Sequence, residues 1–356
     1  MAAVTDVGQS RLAVAPTRLQ PWLLVAAIGC LFGAALLGVL VGPVGLPVRA
    51  VLKELVSRLP LVSAHSGLSH LDAAILWQIR VPRVVLAGLV GAMLAMAGAS
   101  YQGVFRNPLA DPYLLGVAAG AGIGATLAVA YGPVAGWPVD PVPLAAFAGA
   151  LVAVAATYSL GRSRTGSRNT ATLILAGVAV AAFFTAVQTY VQQRHADTLR
   201  QVYAWILGGL GTTGWRQVEL MLPYVVISGV VLLFHRRLLD VMRLGDEEAD
   251  SLGIRATRVR LTVVVAATLG TSAAVAVSGL IGFVGIIVPH TIRLLAGSSY
   301  RRILPLSIMF GAAFLILADL IARTALAPAE IPIGVITAFI GAPFFLLVMR
   351  RTRRVS

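Results

Sequence analysis

Ten stretches of this sequence are apolar for long enough to cross a lipid bilayer, and that succession restricts the chain more than any other feature. A helix needs about 20 apolar residues to span the hydrocarbon core. The stretches fall at residues 22–42, 83–104, 114–132, 142–160, 171–192, 217–235, 258–278, 281–296, 305–323 and 332–349. The eighth is short and its border with the seventh is diffuse, so nine to eleven spans fit the pattern and ten is the count adopted. Backbone groups facing lipid find no water to bond, which makes these segments helices rather than open sheet. The expected fold is all-α: a polytopic membrane protein with about ten transmembrane helices in one domain over 22–349, a tail over 1–21 and a basic tail over 350–356. Composition agrees, since only 12% of residues are charged where a soluble domain carries roughly 25%.

The net charge of +14 does not point to nucleic acid, because no polar domain exists to carry a binding face. The arginines lie in short loops between apolar spans, where such charges set topology and meet anionic lipid headgroups. With the N-terminus inside, nine of the 28 Lys and Arg residues fall outside (Arg49, Lys53, Arg58, Arg80, Arg83, Arg194, Arg200, Arg216, Arg323), leaving 19 inside. This bias predicts cytoplasmic N- and C-termini in the cytoplasmic membrane. The first span is too long and too evenly apolar for the core of a signal peptide and is read as a retained helix. The outer cluster around Arg80 runs against the rule.

Several chemistries are excluded. A P-loop needs a lysine in GxxxxGK[ST], and the only lysine, Lys53, sits in RAVLKEL without glycines. The chain therefore has no nucleotide-hydrolysis site and no catalytic residues of that kind. His65, His70, His195, His235 and His290 lack a second ligand one helical turn away, and Cys30 is the sole cysteine, so neither a metal site nor a disulfide is expected. Gly116, Gly120 and Gly124 share one helical face, a spacing that lets helices approach closely. Pro82, Pro305 and Pro332 are read as helix starts. Asp319 and Arg323, one turn apart, form either a local pair or part of a functional site.

The loop over 238–256 is too long for a tight turn and places Asp246, Glu247, Glu248 and Asp250 among apolar residues. As a helix it sets Leu244, Glu248 and Leu252 on one face, fit to dock into a groove of a soluble partner. The alternative is a helix lying at the headgroup layer, where acidic residues are poorly suited to anionic lipid.

RVPRVVLAGLVGAMLAMAGASYQGVFRNPLADPYLLGV (80–117) resembles a block of the iron-siderophore, haem and vitamin B12 permeases of ATP-binding-cassette importers. LILAGVAV (173–180), RLGDEEADSLGI (243–254), SGLIGFVGIIVPHTIRLLAG (278–297) and ADLIARTALAPAEIPIGVITAFIGAPFFLLVMRR (318–351) follow in family order.

The resemblance implies a vitamin B12 importer permease-like fold and a homodimer. It also implies two cytoplasmic ATPase subunits that use ATP, while this chain binds no cofactor, and an extracytoplasmic substrate-binding protein that delivers the ligand. Leu244, Gly245, Asp246, Glu247, Glu248, Leu252 and Gly253 match the segment that contacts the ATPase. Arg80, Arg83 and Arg323 match arginines that meet acidic residues of the binding protein. Thr170 and Ala171 match the cytoplasmic gate, although the flanking loop GRSRTGSRNTA departs from the family's Pro-Thr-Ser pattern. The implied cargo is an iron chelate, with a ferric siderophore favoured over haem and vitamin B12. An ion-coupled secondary transporter would want paired carboxylates at mid-membrane, which the sequence lacks, and a receptor would want a soluble signalling domain.

Overall fold

The computed structural model describes residues 20–58, 67–132, 140–161, 170–211 and 214–352. In chain order its α-helices are α1 (Pro21–Leu40), α2 (Val48–Ser57), α3 (His70–Ala74), α4 (Val81–Val104), α5 (Val117–Tyr131), α6 (Pro141–Leu160) and α7 (Thr170–Arg194). They continue as α8 (Leu199–Ile206), α9 (Trp215–Met242), α10 (Asp246–Ser251), α11 (Ala256–Ser278), α12 (Val284–Ala296), α13 (Tyr300–Thr324) and α14 (Ile333–Thr352). Each of the ten expected spans is one of these helices. Seven are long and apolar enough to cross a membrane by themselves, and α5, α12 and α14 are shorter apolar helices. Among the described residues no β-strand forms, only an isolated bridge between Leu326 and Ala329.

The boundaries differ from expectation where backbone or capping chemistry intervenes. α5 begins after Gly116, whose φ of 82° only a residue without a Cβ adopts easily. α12 begins at Val284 because Gly279 and Phe283 both take positive φ and break the chain there. α13 starts at Tyr300, five residues before the expected 305. The Asp240 carboxylate anchors that start, accepting from Ser299 Oγ at 2.7 Å and from the Tyr300 N–H at 2.6 Å. Pro305 consequently lies inside α13 rather than at its beginning.

Pro82 also sits within continuous helix. A wide turn over Ile75–Arg80, in which the Val81 N–H donates to Leu76 O, joins α3 to α4. Such a bulge eases the proline ring past the preceding turn. The sequence pattern did not reveal α2 and α8, two short helices that bury little beyond Val51 and Val202.

α4 is the helix the others surround; it packs against α13, α11, α9 and α12, with α1 at its flank. Twenty of its residues are buried, from Pro82 to Val104. Between helices already in lipid there is no hydrophobic drive, so close backbone contact and dispersion must hold them. Glycines permit it. A Cβ on Gly91 would strike the carbonyl of Gly311 in α13, and one on Gly98 would strike the carbonyl of Gly285 in α12. Gly120 and Gly124 of α5 lie likewise against Gly149 O and Ala145 O of α6, whereas Gly116 stands ahead of the helix as its cap.

Gly98→Ala should therefore destabilise the protein by about 1–3 kcal/mol, read as a lowered melting temperature in detergent. Gly29→Ala, with nothing within 4 Å of the added carbon, should leave it unchanged or raise it. Equal melting of the two variants would show that backbone contact does not limit this core.

Candidate functional site

Two polar constellations lie at opposite ends of α4. The first is built from the three arginines expected to face a binding protein. Arg83 comes from the first turn of α4, Asp319 and Arg323 from the last turns of α13, and Glu330 from the loop before α14. Arg83 Nε and Nη2 donate to Asp319 Oδ1 at 3.0 and 2.8 Å, and its Nη1 donates to Glu330 Oε1 at 2.8 Å. Arg323 stands 3.4 Å from Asp319 on the same helix and also donates through Nη2 to the carbonyl of Gly38. The Asp319–Arg323 pair anticipated from spacing thus exists, but the shorter bonds of Asp319 go to Arg83, 236 positions away.

Arg80 donates to Val39 O and Leu40 O, each at 3.2 Å, and to Val44 O. The last carbonyls of any helix lack intrahelical partners. Here Arg80 and Arg323 supply them for α1, adding positive charge at the negative end of its dipole. Arg80, Arg83, Arg323 and Asp319 are all buried. Most of the arginine donors are engaged within the chain, Arg323 Nε being buried without a hydrogen-bond partner, and the group fastens α1, α4, α13 and the 325–332 loop together. The side chain of Glu330 is 40% exposed. The hydrogen bond from Arg83 holds its carboxyl below the ordinary glutamate range.

The second constellation surrounds the expected coupling segment. α10 spans only six residues, so Leu244 and Leu252 stand in the turns on either side of it rather than on one helical face with Glu248. Both leucines are exposed, at 65% and 63%, and Glu247 and Glu248 are exposed beside them. Ala249 is buried and holds the helix to the protein. Gly245, at φ 141°, and Gly253, at φ 78°, allow the chain to enter and leave so sharply. Three acidic residues in the first turn suit the positive end of the helix dipole.

Asp246 is not free for a partner: it accepts from Arg260 Nη2 at 2.7 Å and lies 3.6 Å from Arg106. Asp250 accepts from the Ala256 N–H at 3.2 Å and so starts α11. Apolar residues are thus presented outward from a short helix whose acids anchor it.

Thr170 and Ala171 open α7, with Ala171 exposed. The adjoining gate loop with Arg162, Arg164 and Arg168, most of the N-terminal tail, and the final residues 353–356 lie outside the described residues. An open, apolar groove of about 680 Å³ runs between Leu207, Leu280, Phe283, Val335, Phe339 and their neighbours on α8, the 279–283 turn and α14. Its wall contains no charged side chain.

Removing the charge of Asp319 leaves buried Arg323 without its carboxylate and Arg83 with Glu330 alone. Asp319→Asn should cost about 3–5 kcal/mol, and Glu330→Gln, at a half-exposed position, no more than about 1 kcal/mol; thermal melting in detergent measures both. Because the folded pKa of Glu330 is depressed, the unfolded chain binds more protons between the two values. Its contribution is fully present above the ordinary glutamate value of about 4.3 and is lost as pH falls through the lower folded value. Glu330→Gln should accordingly remove a small part of the loss of melting temperature below about pH 4.

The comparisons with known proteins agree with this geometry. The sequence model of the FecCD transport family matches residues 28–351. The chain is 43% identical over 283 residues to YvrB, an ABC transporter permease of Bacillus subtilis, covering 79% of this chain and 80% of that one. It is 43% identical over 284 residues to the cobalamin import permease BtuC of Halobacterium salinarum, covering 80% and 75%. With the hemin transport permease HmuU of Yersinia pestis it shares 38% over 319 residues, covering 83% and 92%. A solved metal-chelate type ABC transporter in an inward-facing conformation superimposes with a TM-score of 0.79 at 28% identity, over 93% of this chain and 100% of that one. With its helices in that arrangement and the match running almost from end to end, the chain belongs to the FecCD transport family, as a membrane permease of ABC importers.

Proposed function

We propose that this permease carries an iron chelate inward, a ferric siderophore before haem or vitamin B12, as a homodimer driven by two ATPase subunits on the cytoplasmic side. The observation that carries the reading is the family match over residues 28–351. The uncharged groove beside Phe283 and Phe339 supports it, because a wall without fixed charge or metal ligands lets a bulky chelate pass without holding it. Relatives import hydroxamate iron, ferric citrate, hemin and cobalamin, which keeps haem and vitamin B12 as alternative cargo. Ligand choice then rests with the binding protein that delivers it.

Leu244 and Leu252, exposed on either side of α10, are the contacts offered to the ATPase, with Glu247 and Glu248 at their rim. In this reading α10 faces the cytoplasm, as the arginine bias requires, and the Arg83–Glu330 end faces the binding protein. Arg80, Arg83 and Arg323 then act on docking by bracing the helix ends that form the platform, since all three are buried and bonded within the chain. Thr170 and Ala171 stand at the cytoplasmic mouth as gate residues.

Proteoliposomes holding the permease and its ATPase should accumulate a ferric siderophore supplied with the binding protein, and inactivating the ATPase should abolish uptake. Uptake that persisted without ATP hydrolysis would refute an ATP-driven permease, and accumulation of cobalamin or haem alone would replace the siderophore. Leu252→Asp should weaken ATPase binding about tenfold at an unchanged melting temperature. Unaltered affinity, measured by titrating the ATPase onto immobilised permease, would remove this face from the coupling role.

A further inference from the structure

Beside the coupling helix, at the ends of α4, α9 and α12 and the start of α13, lies a small cavity of about 210 Å³ lined by Gln102, Arg106, Pro108, Arg243, Arg293 and Tyr300. Three arginines and no carboxylate form its wall. Arg293 donates through Nη2 to Gln102 Oε1 at 2.9 Å, and Gln102 in turn donates to Gly285 O at 3.1 Å, so the guanidinium is held in place. Its other terminal nitrogen, Nη1, is buried and has no hydrogen-bond partner. Leaving such a charged donor unmet is costly. Arg243 is fixed by a 2.8 Å bond from Nη1 to Ser298 O, and the Tyr300 hydroxyl interacts with the Arg293 guanidinium, with Arg243 and Asp240 also within electrostatic reach.

The neighbouring acids do not neutralise this wall. Asp240 accepts from Ser299 and from the Tyr300 N–H. Asp246 is held by Arg260 at 2.7 Å and shares only a 3.6 Å contact with Arg106. Four arginines (106, 243, 260 and 293) against these two aspartates leave a formal surplus of two positive charges. Guanidinium forks lining one cleft suit a tetrahedral oxyanion with several acceptor oxygens. The volume lies below the roughly 300 Å³ at which pockets for drug-sized ligands begin, which excludes a cargo of chelate size.

We propose that this cavity binds an anion of the phosphate class, its oxygens meeting Nη1 of Arg293 and the guanidinium groups of Arg243 and Arg106. The source is either free phosphate or the headgroup of an anionic lipid, since on the topology given above the cavity opens at the same membrane face as α10. An occupant there would couple to the Arg106–Asp246 contact and hence to the seating of the coupling helix.

The test uses the full-length permease, with inorganic phosphate titrated at constant ionic strength against chloride and melting temperature as the readout. A parallel arm compares nanodiscs of phosphatidylglycerol with nanodiscs of phosphatidylcholine. A saturable rise with phosphate identifies a free-anion site, and a rise only in phosphatidylglycerol identifies a headgroup site; either supports the proposal. Arg293→Gln and Arg243→Gln should each shift half-saturation, or the lipid preference, by about tenfold, while Arg258→Gln, at an exposed position, should not. Arg243→Gln covers the case in which Arg293→Gln fails to fold. No response to either probe would overturn the proposal, as would responses identical in the variants and the parent. Loss of ATPase affinity in both variants with no response to phosphate or lipid would also overturn it and assign the cavity to an acidic side chain of the ATPase.

Discussion

Close backbone contact along α4 is the constraint on which the rest of this structure depends. Apolar side chains gain nothing by leaving lipid for one another, so the bundle is held by how near its helices come. Gly91 against Gly311 and Gly98 against Gly285 set that distance for two neighbours of α4. The same helix begins with Arg83, bonded to Asp319 and Glu330, and ends beside Gln102, which anchors Arg293. The Arg83–Asp319 brace and the Gln102–Arg293 contact are therefore joined by one buried rod. Any rotation of α13 or α12 against it must pass through contacts that tolerate no additional carbon.

The outer brace has a cost that the fold offsets with geometry. Three arginines and one aspartate are buried there, and desolvating charges is unfavourable unless each is paired and bonded. Arg83 meets two carboxylates, and Arg323 meets one carboxylate together with the end of α1. Arg80 finds only carbonyls. Those carbonyls terminate a helix within an apolar layer, where an unmet acceptor is expensive. These arginines thus serve within the chain itself, as the caps and cross-links of the helix ends around the start of α4.

The sequence was legible where the bilayer imposes length. All ten spans were visible because apolar runs of that size have few other uses. Their ends were less so: Pro305 suggested a start that Asp240, lying 60 positions from Tyr300, moves five residues upstream. α2 and α8 escaped notice because they are only ten and eight residues long and polar on one side, so no apolar run of spanning length marks them. At the site, Asp319 and Arg323 were readable as neighbours because a helix puts positions four apart together. The partner of Asp319 across the fold, Arg83, was not, since no local pattern records which helices adjoin. Likewise Leu244, Glu248 and Leu252 were read as a helical face, but Gly245 and Gly253 confine the helix to six residues and turn both leucines outward by another route.

The proposed function requires this permease to work as a pair seated on two ATPases. The most direct measurement is the mass of the detergent-purified assembly of this chain with its ATPase, by light scattering with the detergent contribution subtracted. The account predicts a complex of two permeases and two ATPases. A permease that remains alone at saturating ATPase, with its melting temperature unmoved, would contradict it and leave the exposed leucines around α10 as a membrane-surface contact.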